Sequence, residues 1–274
     1  MIVNGRGITK DLLVQVRESV SMLGRVPAVR AVVLAPSAAT ESYLRIKERR
    51  AREAGMQLEL IRLKEGSTTE DIMRAILLPG ADAVIVQLPL PESIDTSQVL
   101  DSIPLAQDAD VLSRSAHERF ESGDADALLP PVVGAVKEIL ERAHVEPTGK
   151  RAVVIGNGWL VGEPCAAWLH AKGAEVHVVT LESGDLSFLK EAEIIVSGAG
   201  SPGLIKPEHL TPGVVLIDAG TSESGGAIVG DADASCAEIA SVFTPVPGGV
   251  GPIAVACLFK NAAELALRSG LQTV

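Results

Sequence analysis

Aromatic residues are scarce in this 274-residue chain, which has four Phe, two Trp and a single Tyr. Its core must be aliphatic, and Val, Ile, Leu and Ala supply it. That composition suits strands buried on both faces of a parallel sheet beneath helices. Cysteine is sparse too. Cys165, Cys236 and Cys257 are odd in number and widely spaced, which excludes a disulfide framework or a zinc cluster and leads us to expect a reducing cytosol. Positive charge is in deficit: 24 Lys and Arg stand against 35 Asp and Glu, a net charge of −11. An acidic surface repels phosphate backbones, so nucleic acid is not an expected partner. The one basic run, Lys47–Arg52, is short. No stretch of about 18 apolar residues is evident to span a membrane. The opening MIVNGRGITKDLL lacks the apolar segment that a signal peptide needs.

What is present is a chain of 47% hydrophobic and 22% charged residues, ample for a packed core and long enough for two domains. The patterning predicts alternating helices and strands over the first 130 residues. Helices are expected at 8–23, 41–54 (Thr40 as N-cap, Gly55 as stop) and 69–76, and strands at 29–34, 58–63 and 83–88. Residues 102–130, rich in Asp, Ser and Glu, read as less regular and hold the expected domain boundary. A stripe at Val133, Val136, Ile139 and Leu140 predicts a linking helix. Strands at 152–155, 175–180, 193–197 and 214–218 follow, with helices at 164–172 and from Pro252 to about Arg268. This is a βαβ succession and predicts an α/β fold.

The segment VVIGNGWLVGEP places Gly156, Gly158 and Gly162 between a strand and a helix. Glycines there allow a tight turn and close approach of backbone N–H groups to a pyrophosphate, which the helix N-terminus also attracts. With Asn157, these residues form the candidate dinucleotide turn. Glu182 lies about 20 residues further on, where an acidic side chain accepts from a ribose 2′-hydroxyl and repels a 2′-phosphate. No Lys or Arg lies in 156–168. NAD is therefore expected over NADP.

Tyr43 and Lys47 are four residues apart, on one helix face. A phenol ring can stack on an aromatic substrate, and an amine of lowered pKa can act as acid or base. Taken alone, the pair also fits a solvated helix face. A Tyr-x-x-x-Lys pair marks short-chain dehydrogenases, but here it precedes the glycine turn and lies in another domain, so that family is excluded. Gln87, at a strand end in VQLPLP, offers donor and acceptor together. Asp110, in QDADVL, can accept paired hydrogen bonds from an amino-pterin. The most specific segment is TPVPGGVGPIAVA, residues 244–256, where prolines stiffen and glycines admit a flat ligand before a helix begins.

Taken in order, these pieces resemble the bifunctional methylenetetrahydrofolate dehydrogenase/methenyltetrahydrofolate cyclohydrolase family over nearly the whole chain. Tyr43-x-x-x-Lys47, VQLPLP at 86–91, the aspartates at 108–110 and GNGWLVGEP at 156–164 carry the likeness. SGAGSPGLI at 197–205, VVLIDAGT at 214–221, GDAD at 230–233 and TPVPGGVGP at 244–252 complete it. The resemblance implies hydride transfer between a folate-bound one-carbon unit and a nicotinamide cofactor without a metal, together with hydrolysis of the methenyl product. It implies that Tyr43 stacks on the folate, that Lys47, assisted by Gln87, activates water, and that Asp110 anchors the pterin. Val86, Gln87 and Leu88 would line the folate cleft with Pro247, Gly248, Gly249, Val250 and Gly251. Gly156, Gly158 and Thr221 would hold the dinucleotide. The implied fold is two α/β domains, 1–125 with 253–274 for folate and a Rossmann-like 126–252 for the dinucleotide, the C-terminal helix returning to the first; the implied state is a homodimer. The family's Asp-Val-Asp-Gly-Phe reads Asp108-Ala-Asp110-Val-Leu112 here, Pro-x-Thr-Pro reads Pro130-Pro-Val-Val133, and Gly-Arg-Ser reads Gly156-Asn-Gly158. A dehydrogenase without the hydrolytic step and a non-catalytic binding relative are the rival readings.

Overall fold

The structure, a computed structural model, describes residues 1–36, 38–182, 185–224 and 227–271. The chain divides into two compact units. Lys10–Pro131 with Val255–Val274 form the N-terminal unit, and Met1–Thr9 with Val132–Ala254 form the central unit.

The N-terminal unit carries most of α1 (Gly5–Ser21), with β1 (Ala28–Leu34), α2 (Ala38–Glu53), β2 (Gln57–Leu63), α3 (Thr69–Ile76), β3 (Ala83–Val86), α4 (Thr96–Asp101) and α5 (Arg114–Glu121). Its sheet is parallel, in the order β2-β1-β3. β1 and β3 are aliphatic and buried, as strands covered by helices must be. Ile72, Ile76, Val84, Val86, Val99 and Leu112 join one core cluster. α3 opens with a reciprocal cap, the Thr68 hydroxyl accepting from the Asp71 N–H and the Asp71 carboxylate from the Thr68 N–H.

The central unit carries α6 (Pro131–Arg142), β4 (Arg151–Ile155), α7 (Gly162–Ala171), β5 (Glu175–Val179), β6 (Ile194–Ser197), β7 (Val215–Asp218), a small hairpin of β8 (Ser222–Ser224) and β9 (Ala227–Val229), and β10 (Val242–Phe243). The order β10-β7-β6-β4-β5 is parallel throughout, a Rossmann-like sheet. α8 (Val250–Leu271) then carries the chain back into the N-terminal unit.

Several expectations need correction. Thr40 lies inside α2 rather than capping it. The segment 102–130 is mostly irregular as expected, but it holds one unforeseen helix, α5, with Ser113 capping through the Ala116 N–H. Residues 1–9 cluster with the central unit, not the first domain, because the Val3 N–H donates to the Phe243 carbonyl and the Phe243 N–H to the Met1 carbonyl. The boundary falls at 131/132 rather than 125/126. Burial on both faces holds for inner strands but not for β5, an edge strand with three exposed residues of five. α8 has the length and mean hydropathy, 1.4 over its most apolar window, of a membrane span, which the sequence reading did not foresee. It is mostly buried in the fold, and Asn261 at its middle donates to the carbonyls of Ala109 and Leu129 at 2.9 and 2.8 Å. Those contacts are those of a core helix.

Candidate functional site

In the N-terminal unit the parallel register brings β3 beside β1, so its carboxyl end delivers Gln87. The Gln87 carboxamide is oriented. Its Nε2 donates to the Leu88 carbonyl at 2.7 Å, which leaves Oε1 to accept from Lys47 Nζ at 3.0 Å. Lys47 is half-buried on α2 and Tyr43, one turn earlier, is 40% exposed. Burial lowers the Lys47 pKa, against the opposing pull of Asp110. Burial raises the Asp110 pKa, with Lys47 opposing and Asp108 adding to the rise. Lys47 thus bonds to Gln87 and is electrostatically coupled to Asp110, on the helix that also carries the exposed Tyr43, an arrangement able to move a proton.

Asp108 shapes this group and was not foreseen as more than part of a motif. It is buried, and its carboxylate accepts from the N–H groups of Leu112 and Ser113 at 3.1 and 2.8 Å and from the Ser113 hydroxyl at 2.6 Å. These bonds close the loop that presents Asp110. Asn261 fastens the same loop from α8.

Not every expected lining residue is free to line anything. Val86 is 2% exposed and packs into the core, so a ligand can meet only its backbone; Leu88 is partly buried against that core. In the central unit Gly249 and Val250 are also buried. A side chain at Gly249 would collide with the Pro245 carbonyl and the Thr244 side chain, a packing role. Pro247, Gly248 and Gly251 keep accessible surface, and Gly248 sits at φ +111°, where glycine is favoured.

The glycines after β4 divide their work. Gly156 takes φ +94° and passes against the Gly198 carbonyl. A side chain at Gly162 would strike the Gly156 carbonyl, so this glycine lets α7 pack on the turn. Gly158 faces open space. The three thus divide into a tight turn at Gly156, close helix packing at Gly162 and an open backbone at Gly158. Asn157 is exposed beside them, and α7 has no side-chain cap on its first N–H groups. The Gly156 N–H donates to the Val179 carbonyl at 2.8 Å, so residues 180–182 leave β5 next to the turn, with Glu182 exposed. Thr221 is exposed after β7.

Residues 3–110 match the catalytic domain of the tetrahydrofolate dehydrogenase/cyclohydrolases, and residues 130–270 match the NAD(P)-binding domain of the same proteins. The chain belongs to the tetrahydrofolate dehydrogenase/cyclohydrolase family. It is an α/β enzyme with a catalytic domain and an NAD(P)-binding domain. It is 34% identical to the bifunctional protein FolD of Lacticaseibacillus paracasei over 275 residues, 97% of each chain. Its structure superimposes on bifunctional FolD from Campylobacter jejuni with a TM-score of 0.94 at 28% identity, covering 98% and 99% of the two chains. For the Trypanosoma brucei methylenetetrahydrofolate dehydrogenase-cyclohydrolase the TM-score is 0.93 at 31% identity, with 98% of each chain covered. The catalytic-domain match ends at Asp110 and so includes Tyr43, Lys47 and Gln87; the NAD(P)-binding match contains the glycine turn, Glu182 and Thr221.

Proposed function

We propose that this enzyme oxidises 5,10-methylenetetrahydrofolate with a nicotinamide dinucleotide and hydrolyses the methenyl product to 10-formyltetrahydrofolate. The observation that carries the reading is the oriented Lys47–Gln87 bond beside Asp110. An amine held below its usual pKa keeps a lone pair available. Lys47 takes one proton from water as the oxygen bonds to the methenyl carbon. The other water proton passes to N5 as its bond to that carbon breaks. Gln87 fixes the amine in place, Tyr43 stacks on the folate, and Asp110 anchors the pterin. A bound nicotinamide would supply the acceptor for the hydride of the methylene carbon. The chain's part in that half is to bind the pyrophosphate at the turn of Gly156, Asn157 and Gly158 and at α7, with Thr221 from the next loop. Spectrophotometry of methylenetetrahydrofolate oxidation, followed by decay of the methenyl product, tests both halves. Absence of both activities overturns the reading.

We assign NAD as the preferred dinucleotide. Glu182 stands beside the turn where it repels a 2′-phosphate, and the turn carries no cation. The Trypanosoma brucei relative is a complex with NADP, so the assignment marks a departure. One charge repulsion together with a missing anchor predicts kcat/KM about tenfold higher with NAD. A preference for NADP defeats the assignment. A cytosolic homodimer completes the proposal: the three cysteines are buried, and among the described residues β5 is an edge strand of its sheet, with Val178 38% exposed.

A further inference from the structure

Two carboxylates of the central unit have no part in the chemistry above, yet they are almost wholly buried: Asp218 is 1% exposed and Asp231 is 0% exposed. Burying a carboxylate is costly unless its oxygens are bonded, and here nearly every bond goes to a loop. Asp231 Oδ2 accepts from the Ser197 hydroxyl at 2.7 Å and the Ala199 N–H at 2.8 Å, and its Oδ1 accepts from the Ser201 N–H at 2.7 Å. Asp218 accepts from the N–H groups of Gly220 and Ala232 at 2.9 and 2.8 Å. The two are cross-covered. A side chain at Gly220 would strike the Asp231 carboxylate, and one at Gly230 would strike that of Asp218. The Ser222 hydroxyl then ties the second loop to the first through the Gly200 carbonyl at 3.0 Å.

These loops follow β6 and β7 at the carboxyl ends of a parallel sheet, the edge along which open α/β sheets bind ligands. The first loop also packs against the cofactor turn, since the Gly156 backbone lies on the Gly198 carbonyl. An apolar residue at 231 would fill the space but leave three donors unbonded. A buried anion instead gathers them to one point and gives both loops a single shape.

We propose that Asp231, backed by Asp218, is a positioning residue for the dinucleotide, holding the loops after β6 and β7 in the conformation that NAD(P) binds. The proposal rests on the assignment of the central unit to the cofactor. Hydrolysis of the methenyl compound uses no dinucleotide, so it is an internal control. Asp231→Asn turns an amide donor toward N–H and O–H donors. The expected result is a KM for NAD raised about tenfold, with kcat and the hydrolytic rate within about twofold of the parent. A residue that merely holds the fold together would depress both activities and leave the KM for NAD unmoved, and that outcome overturns the proposal. Should Asp231→Asn be insoluble, Ser197→Ala removes one of the three bonds. A KM for NAD about threefold higher with hydrolysis intact supports the proposal, and an unchanged KM overturns it. Calorimetric titration of the parent and the variant with NAD alone reads the same effect without folate. It separates failure of this inference, equal affinities, from failure of the functional assignment, a parent that binds NAD but oxidises no methylenetetrahydrofolate.

Discussion

Val111 holds a φ of +57°, a backbone region that β-branched residues avoid, and it stands where the family pattern has glycine. The loop keeps this shape because Asp108 binds the next two N–H groups and because the Val111 side chain is buried. Val111→Gly is expected to leave stability within about 1 kcal/mol of the parent in urea unfolding, because the released strain is offset by the lost burial of the isopropyl group and the added entropy of the unfolded chain. A loss of several kcal/mol would mean that the backbone at 111 stores little strain. Lys47 supports a second expectation. Lys47→Ala should abolish hydrolysis while folate still binds, and full hydrolytic activity in that variant would remove the amine from the mechanism. A base must be neutral to act, so the parent's hydrolytic rate rises with pH through the lowered Lys47 pKa. The Asp110 charge holds that pKa up, so Asp110→Asn should move the rising limb to lower pH at saturating folate. A shift to higher pH would contradict the coupling.

α8 acts as an element rather than as a set of residues. Asn261 in its middle reaches across to the Asp110 loop, donating to the carbonyls of Ala109 and Leu129. Asn261→Leu leaves two carbonyls without that donor, which predicts a loss of about 2–3 kcal/mol in urea unfolding and a raised KM for folate. A stability loss with KM unchanged would show that the loop keeps its shape without α8. α7 illustrates the same scale: its place against the turn depends on the absence of a side chain at Gly162.

For the whole molecule, the pH profile of stability carries the mark of the buried carboxylates. Burial drives the Asp218 pKa from 3.8 up to about 6; backbone donation from Ala232 opposes this and the Asp231 charge adds to it. A group whose pKa rises on folding contributes stability below its unfolded value and loses it as pH rises through the folded one. Unfolding free energy should therefore fall by at most about 3 kcal/mol between pH 4 and pH 6 from this group. Asp82 works in the opposite sense: burial pushes its pKa up, but the bonds from Arg25 and the Ala28 N–H together outweigh it and leave it lowered, so its contribution is lost in acid. Asp218→Asn should flatten the pH 4–6 segment in urea titrations, and a slope that survives the substitution would locate the titrating group elsewhere.

Local chemistry alone determined much of this protein. Strand positions, the glycine turn, the stop of α2 at Gly55 and the Tyr43–Lys47 spacing follow from side-chain period and backbone freedom, which act over a few residues. The missed α5 had a capping serine, but it is only eight residues long and mostly polar, so it did not stand out from a loop. Only tertiary structure decided which residues face solvent and which partner each buried group finds. Val86 and Val250 went to the core, residues 1–9 joined the central unit, and Asn261 found carbonyls more than 130 residues away in sequence. Burial and electrostatic coupling belong to positions in space, so no window of sequence contains the fact that Asp231 closes two loops or that Asp110 answers Lys47.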